Sequence, residues 1–463
     1  MTPPGSAGDR PIEAPPIQDR PVQTRRFLPW VPPIDVAAGI AHRPGALCLL
    51  SDPTIPGSRS FIAADPDHVG VLEKAPWGEL FTPLKTTGWR GGGVVGLASY
   101  DAGAREATGS RPQVWPDLIM ARYPAVAVFD HDARSVTLVG WGRTAREAGR
   151  ACDEAQVWFN LAWSPPLPEP PATVFSPDAP PQTYRDAVSE VVARIAAGDL
   201  FQANIARGWS GALAGDADPF DVFLRLTRGD ADVRAAPYGA FWRIGDRALV
   251  SNSPELFLAL DAHTGRIETR PIKGTRPRHP DPAVDALRAA ELRASAKDRA
   301  ENLMIVDLMR NDLSRVCRPG SVVVEKLFEI ESHPTVHHLV STVSGVIEPG
   351  LGPARVLEAT FPPGSITGAP KHQAMKVIAS LEPPRGPWCG SLFLIDENDD
   401  LTASVLIRTA AFEKVGERWT FRTQAGAGIV ADSDPEAELQ ETGAKISALR
   451  QALTGQALTG KTA

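Results

Sequence analysis

Cysteine is scarce in this chain of 463 residues: Cys48, Cys152, Cys317 and Cys389 stand far apart, with no CxxC pair. That excludes a zinc knuckle and a disulfide scaffold. The four read as buried free thiols in a reducing cytoplasm. No run of about 20 apolar residues occurs, so no helix is expected to span a membrane. An excess of positive charge is also missing. Lys and Arg number 48 against 55 Asp and Glu, a formal charge of −7, and a nucleic-acid partner would need a basic surface. The amino terminus has no apolar core behind a basic start, so no signal peptide is read.

What remains is ordinary globular material, 43% hydrophobic and 22% charged. Its length suits about three units or one large α+β body. Proline (44) and glycine (40) are abundant, so many turns and few long helices are expected. Residues 1–26, with six prolines, read as a flexible tail. Residues 27–163 read as strand-rich. Residues 164–182 hold eight prolines and read as an extended connector. Residues 183–453 form the largest body, and 454–463 read as a frayed end.

Within that body, Thr183–Ala197 is periodic as an amphipathic helix, and Leu200–Ile205 alternates as a strand that puts Gln202 and Asn204 on one face. Ala294–Val316 reads as a helix whose apolar stretch Leu303–Met309 is buried. Ser391–Ile395 and Leu401–Thr409 read as a hairpin. Asp434–Pro435 reads as the cap and first turn of the last helix.

Two glycine-rich stretches fail as nucleotide motifs. Gly91–Gly96 (GGGVVG) matches GxGxxG only formally, because Tyr100–Gly103 reads as a turn where a helix should open. Close strand crossing explains the glycines better. Gly364–Lys371 (GSITGAPK) lacks the hydroxyl that follows the lysine of a phosphate loop, which leaves a turn that offers backbone N–H groups to an anion. His333, His337 and His338 have no zinc-ligand spacing.

Carboxylates are more telling. Glu438, Glu441 and Lys445 share one face of the last helix; alone, such a face reads as solvated charge. Asp298 and Glu301 open the Leu303–Met309 helix at the same spacing, where carboxylates need a dipole role or a partner. Brought together, the two pairs make an oxygen-only site that suits Mg²⁺. Lys273, in TRPIKGTR, reads either as a snorkelling surface lysine or as a desolvated amine nucleophile, with Arg270 and Arg276 nearby to favour its neutral form. Glu255, at a strand end, is a candidate general acid if burial raises its pKa.

Several stretches resemble the chorismate-utilising enzymes: IAAGDLFQANIARGW (195–209), SNSPELF (251–257), RPIKGTR (270–276), AKDRAENLMIVDLMRNDLSRV (296–316), HPTVHHLVSTVSG (333–345), FPPGSITGAPK (361–371), ASVLIRT (403–409) and AGAGIVADSDPEAELQET (425–442). They follow the family's order across 183–453, and RGGGVVGLASYD (90–101) resembles its amino-terminal part more weakly. The resemblance implies an α+β fold in which antiparallel β-sheets pack as a sandwich with flanking helices, and to which both halves of the chain contribute.

The resemblance also implies site roles. Glu301 and Glu441 would bind Mg²⁺ directly, and Glu438 and Asp298 through water. Arg408, Lys445 and the backbone of Gly426 and Gly428 would hold the enolpyruvyl side and the carboxylates. Thr275 and His338 would line the ring, with Gln202, Gly274 and Thr367 beside it. Glu255 would protonate the departing 4-hydroxyl. Where the isochorismate and salicylate branches carry a water-activating lysine, this chain has Gln202, which cannot take a proton. Anthranilate synthases have alanine at Lys273, whereas aminodeoxychorismate synthases carry PIKGT, with the lysine as a covalent nucleophile at ring C2.

The expectation is therefore amination of chorismate to 4-amino-4-deoxychorismate, on the path to p-aminobenzoate and folate. Amination to anthranilate is the nearest alternative, and a non-catalytic chorismate binder the third reading. No glutaminase or lyase segment is read, so ammonia is expected from a separate glutamine amidotransferase subunit. A tryptophan site like that of relatives would fall at Ser51, Pro237, Tyr238 and Gly239, where only Pro237, Tyr238 and Ser51 match.

Overall fold

The computed structural model describes residues 21–85, 92–228 and 235–456. The expected tail before residue 21, Gly91 and the last seven residues lie outside them. Alternating and β-branched runs build two antiparallel sheets, of twelve and ten strands among the described residues. Inner-face residues of both share one apolar core: Val95, Leu97, Ile119, Ala121 and Leu392 of the ten-stranded sheet meet Ala127, Val139, Phe241 and Leu249 of the other. The outer face of the ten-stranded sheet packs on helices Tyr100–Thr108, Ala296–Ser314 and Pro353–Thr360. On the other sheet Ala203, Ile205, Ala427 and Ile429 pack under helices Pro181–Ala196 and Lys371–Leu381. This is the expected α+β sandwich with flanking helices.

Both halves of the chain enter both sheets. Leu47–Leu50 pairs with Tyr238–Ile244, and Gly93–Ala98 pairs with Ser391–Ile395. Order begins earlier than expected, because Val22–Leu28 pairs along its whole length with Ser135–Gly142; an edge strand tolerates the neighbouring prolines. Within the proline-rich connector, Ala172–Pro177 adds to the edge of Gln202–Leu213.

Three further local expectations need correction. Tyr100–Gly103 opens a helix, Tyr100–Thr108, rather than a turn. Gly103 is there for packing: a Cβ on it would stand 2.5 Å from the Phe361 ring. The dinucleotide reading still fails, because Gly93 and Gly96 lie inside an antiparallel strand, and a Cβ on Gly96 would enter the Phe393 ring. The Leu303–Met309 stretch is only partly buried: Ile305, Val306 and Met309 face the core, whereas Leu303 is 46% exposed. Leu401–Thr409 is not one strand. Leu401–Val405 belongs to the ten-stranded sheet and Thr409–Val415 to the other. The chain crosses between them at Arg408, whose φ is +51°.

Candidate active site

Two crossings between the sheets lie side by side and carry the key side chains. Arg247–Ser253 ends in one sheet and Leu256–Asp261 begins in the other, which places Glu255 at the first crossing. Arg408 is at the second. The crossings are stitched together: Val405 N donates to Glu255 O (3.1 Å), Ser253 Oγ to Val405 O (2.5 Å), and Asn252 N to Arg408 O (3.1 Å).

Glu255 is 4% exposed. Burial pushes its carboxyl up from 4.5 to about 7, against a Ser365 hydrogen bond and the charges of Lys273 and Lys445. One of its oxygens has no protein partner. A carboxylic acid half-protonated near neutral pH has the character of a general acid. Arg408 has no ion pair among the described residues, and burial alone lowers its pKa. Partly desolvating a guanidinium without an ion-pair partner is costly, and an anionic ligand would offset it.

Lys273 is placed by a bulge. Between Ile272 and Thr275 the strand Ile272–Pro277 carries one residue more than its partner Val336–Val346. Gly274 takes φ +87° there, a conformation glycine adopts without strain. A Cβ on Gly274 would stand 2.8 Å from the Asp298 carboxyl carbon. Burial lowers the Lys273 amine; Glu301 opposes that effect and Lys445 adds to it. The cation near Lys273 is thus Lys445. Arg270 and Arg276, expected from sequence proximity, are engaged elsewhere, with Glu331 and with Glu291 and Asp298.

The two acidic pairs meet. The Lys297 amine lies 3.9 Å from Glu301 and 3.7 Å from Glu438, so helices Ala296–Ser314 and Pro435–Thr454 present their carboxylates to each other. The Asp434 side chain caps the second helix at Ala437 N. Burial raises Glu301, with Lys273 and Lys297 opposing, and burial likewise raises Glu438, opposed by its Ser433 hydrogen bond. For Glu441 burial is outweighed by Lys445, whose amine is 2.6 Å away, and the carboxyl falls below its usual range. Lys445 also donates to Gly426 O (2.9 Å). Among the described residues no three ligand-type side chains converge on one point. The surplus of half-buried carboxylate oxygen, held apart by lysines, does fit a hard divalent cation completed by an anionic ligand and water.

Of the remaining predicted residues, Gln202, His338 and Thr367 are buried and Thr275 is exposed. Gln202, fully buried with both amide atoms unpartnered, faces Gly428, where a Cβ would stand 2.5 Å from its nitrogen and 3.4 Å from Lys273 Nζ. Thr275 and His338 are paired across strands, Oγ1 to Nδ1 at 2.9 Å. Burial depresses His338 to about 3, helped by Arg408, which keeps it neutral. Thr367 is buried, and its backbone oxygen accepts from Asn204 N. In GSITGAPK, Lys371 is fully engaged with Asp312 and the carbonyls of Thr360 and Pro362; it anchors the turn. Sequence reasoning missed Lys297 and Ser365; Lys297 stands four residues before Glu301, a spacing that signals a pair. Ser51, Pro237 and Tyr238 line a separate cavity of about 390 Å³ with Arg270, Glu331 and His333. Gly239 sits one residue further along, paired with Leu50.

Residues 57–451 match the family described as chorismate binding enzyme. The aminodeoxychorismate synthase component 1 of Salmonella typhimurium is 39% identical over 77% of this chain and 75% of its own length. The anthranilate synthase component 1 of Thermus thermophilus is 37% identical over 78% and 77%. Among solved structures, anthranilate synthase component I from Streptococcus pneumoniae superposes with a TM-score of 0.72 at 27% identity, covering 86% of this chain and 93% of that one. The menaquinone-specific isochorismate synthase of Escherichia coli shares the fold (TM-score 0.71, 18% identity, 94% and 96% covered). Sequence and fold agree: the chain belongs to the chorismate binding enzyme family.

Proposed function

We propose that this chain aminates chorismate to 4-amino-4-deoxychorismate, as the names of its aminodeoxychorismate synthase component 1 relatives suggest. The observation that carries the reading is Lys273, a half-buried amine whose pKa desolvation lowers, beside the raised acid Glu255. Arg408 pairs with a substrate carboxylate. Lys273 Nζ bonds to ring C2, the double bonds shift, and the C4–O bond breaks while Glu255 gives its proton to the departing hydroxyl. Ammonia then bonds to C4, the C2–N bond breaks, and Lys273 is restored. Two allylic displacements replace one difficult step. Gln202 has no base to offer water, which disfavours hydration. Glu301 and Glu441, with Glu438 and Asp298 behind them, would hold Mg²⁺, which would supply charge neutralisation for the ring carboxylate.

The separate "component 1" of the relatives' names supports a partner subunit, and a glutamine amidotransferase is the chemistry required. The product leads towards p-aminobenzoate and folate, and a cytoplasmic site suits the pathway; among the described residues no helix is long and apolar enough to cross a membrane.

Product analysis tests the reading. The purified chain with chorismate, Mg²⁺ and ammonium at mildly alkaline pH should yield an aminated product that keeps its enolpyruvyl group. Lys273→Ala should cut its formation and divert amination towards C2. Anthranilate plus pyruvate from the unaltered chain would place it in the alternative branch, and unchanged kinetics and product in Lys273→Ala would remove the lysine from the mechanism.

A further inference from the structure

A charged pair with no role in the chemistry described so far is wholly buried. Arg385 Nε donates to Glu382 Oε2 (2.9 Å) and Nη2 to Glu382 Oε1 (3.1 Å), and both side chains are buried. The guanidinium lies between the rings of Tyr100 and Trp388, its carbon 4.6 Å and 5.0 Å from their centroids. A buried ion pair stabilises little more than apolar groups of the same volume. The geometry it imposes is the better account of its presence, and a planar fork imposes more than an ammonium does.

The other donors of Arg385 reach two stretches of backbone. Nη2 also donates to Asn204 O (2.6 Å) in strand Gln202–Leu213, and Nη1 donates to Ile366 O (3.3 Å) in the turn Gly364–Ile366. Glu382 Oε1 accepts from Ala206 N (2.7 Å) on the same strand. The pair is itself tied down from the amino-terminal half of the chain, where Asp101 accepts from Arg385 N (3.2 Å) and Gly386 N (2.7 Å). Two further contacts complete the hold on the turn. Asn204 N donates to Thr367 O (2.9 Å), and a Cβ on Gly364 would stand 2.5 Å from the Met309 methyl group of helix Ala296–Ser314.

Inside that turn stands Ser365, buried, with its hydroxyl hydrogen-bonded to the Glu255 carboxyl. The Lys273 and Lys445 amines and the Cys389 thiol also face this carboxyl. The amines act on it through charge, which attracts without fixing an angle, and one carboxyl oxygen has no partner among the described residues. Ser365 is thus the contact that orients the carboxyl, and Arg385 holds the backbone that carries Ser365.

We propose that Arg385, braced by Glu382, is a positioning residue for the general acid: it sets the place of Ser365 and, through it, the aim of the Glu255 carboxyl. This rests on the amination reading above.

The test separates aim from fold. Ser365→Ala removes the hydroxyl. Arg385→Lys keeps the charge but cannot bridge Glu382, Ile366 and Asn204 at once. Glu382→Gln combined with Arg385→Met removes both charges together, so that neither is left buried alone. All are scored for folding by circular dichroism and thermal midpoint, then assayed with chorismate, Mg²⁺ and ammonium from about pH 6 to about pH 9. In Ser365→Ala, kcat should fall about tenfold or more while KM for chorismate holds. The alkaline limb of its pH profile should move up by about half a pH unit or more, because a hydrogen bond to the ionised form is lost. Each folded variant of the pair should move the limb in the same direction, and adding Ser365→Ala to it should cost little more. An unmoved limb in Ser365→Ala or in a folded variant of the pair, or fully additive losses, would overturn the proposal. The thermal midpoint reads the same carboxyl without turnover. Its decline towards alkaline pH should extend further in Ser365→Ala than in the unaltered chain, and an identical decline would refute the Ser365 contact. If the unaltered chain makes no aminated product, it is the amination reading that fails, and the midpoint still decides whether Ser365 holds Glu255.

Discussion

Replacing Glu255 with glutamine isolates a deeply buried carboxyl. The folded-state pKa is raised from 4.5 to about 7, so the folded chain holds a proton that the unfolded chain has released. The associated stability is fully present below 4.5 and is lost as pH rises to about 7; above that it stays lost. The rise corresponds to about 3 kcal/mol, an upper figure because neighbouring groups relax. Spread over 463 residues, unfolding entropy is about 1 kcal/mol per degree, so the effect is about 3 °C in thermal midpoint. Glu255→Gln keeps the shape and removes the titration. Its midpoint should gain about 3 °C relative to the unaltered chain between pH 4.5 and 7.5, whatever the offset at pH 4.5. Chorismate turnover should fall by 10²- to 10⁴-fold, and the loss of activity on the alkaline side should disappear from what remains. A midpoint difference that stays constant across that range, measured by scanning fluorimetry in buffers of equal ionic strength, would refute both the burial argument and the assignment of Glu255 as the acid.

Two more substitutions probe charge. Arg408→Met removes a guanidinium that has no ion-pair partner among the described residues, and should raise the midpoint by about 1–2 °C while KM for chorismate rises roughly 10- to 100-fold; a lower midpoint would mean that the cation is compensated in the free protein. Glu301→Gln should preserve the fold and raise the half-saturating Mg²⁺ concentration about tenfold or more, with the Mg²⁺-induced gain in midpoint reduced in parallel, and a titration identical to that of the unaltered chain would dismiss it as a ligand.

How legible the site was depended on where its information lay. Glu255, Lys273, Glu301 and Glu441 were visible because each sits in a short local pattern. Their meeting was not, because it depends on two sheet crossings and a bulge. The bulge left a trace in Gly274, although nothing in KGT states that the register slips by one. Leu401–Thr409 alternates well enough to pass as one strand, and the φ of Arg408 that divides it has no glycine to announce it. Tyr100–Gly103 was misread because a glycine needed for contact with Phe361 looks like one needed for a turn. The partner of Lys273 was sought among neighbours in sequence and found on the last helix, a distance that no spacing rule covers.

The interleaving of the sheets has a consequence for how the molecule comes into being. Gly93–Ala98 rests between Leu118–Tyr123 and Ser391–Ile395, and Leu47–Leu50 between Arg59–Ala63 and Tyr238–Ile244. During synthesis the early strands emerge long before the late ones that complete their ladders, and their open edges are templates for pairing with other chains. Contacts so distant in sequence make for slow folding, so the nascent chain calls for protection until its last third has left the ribosome. By the same logic the proline-rich stretch at 164–182 is not a place to divide the protein: fragments cut there would each carry part of two sheets, and the second, which holds the site residues, would lack the strands that complete both.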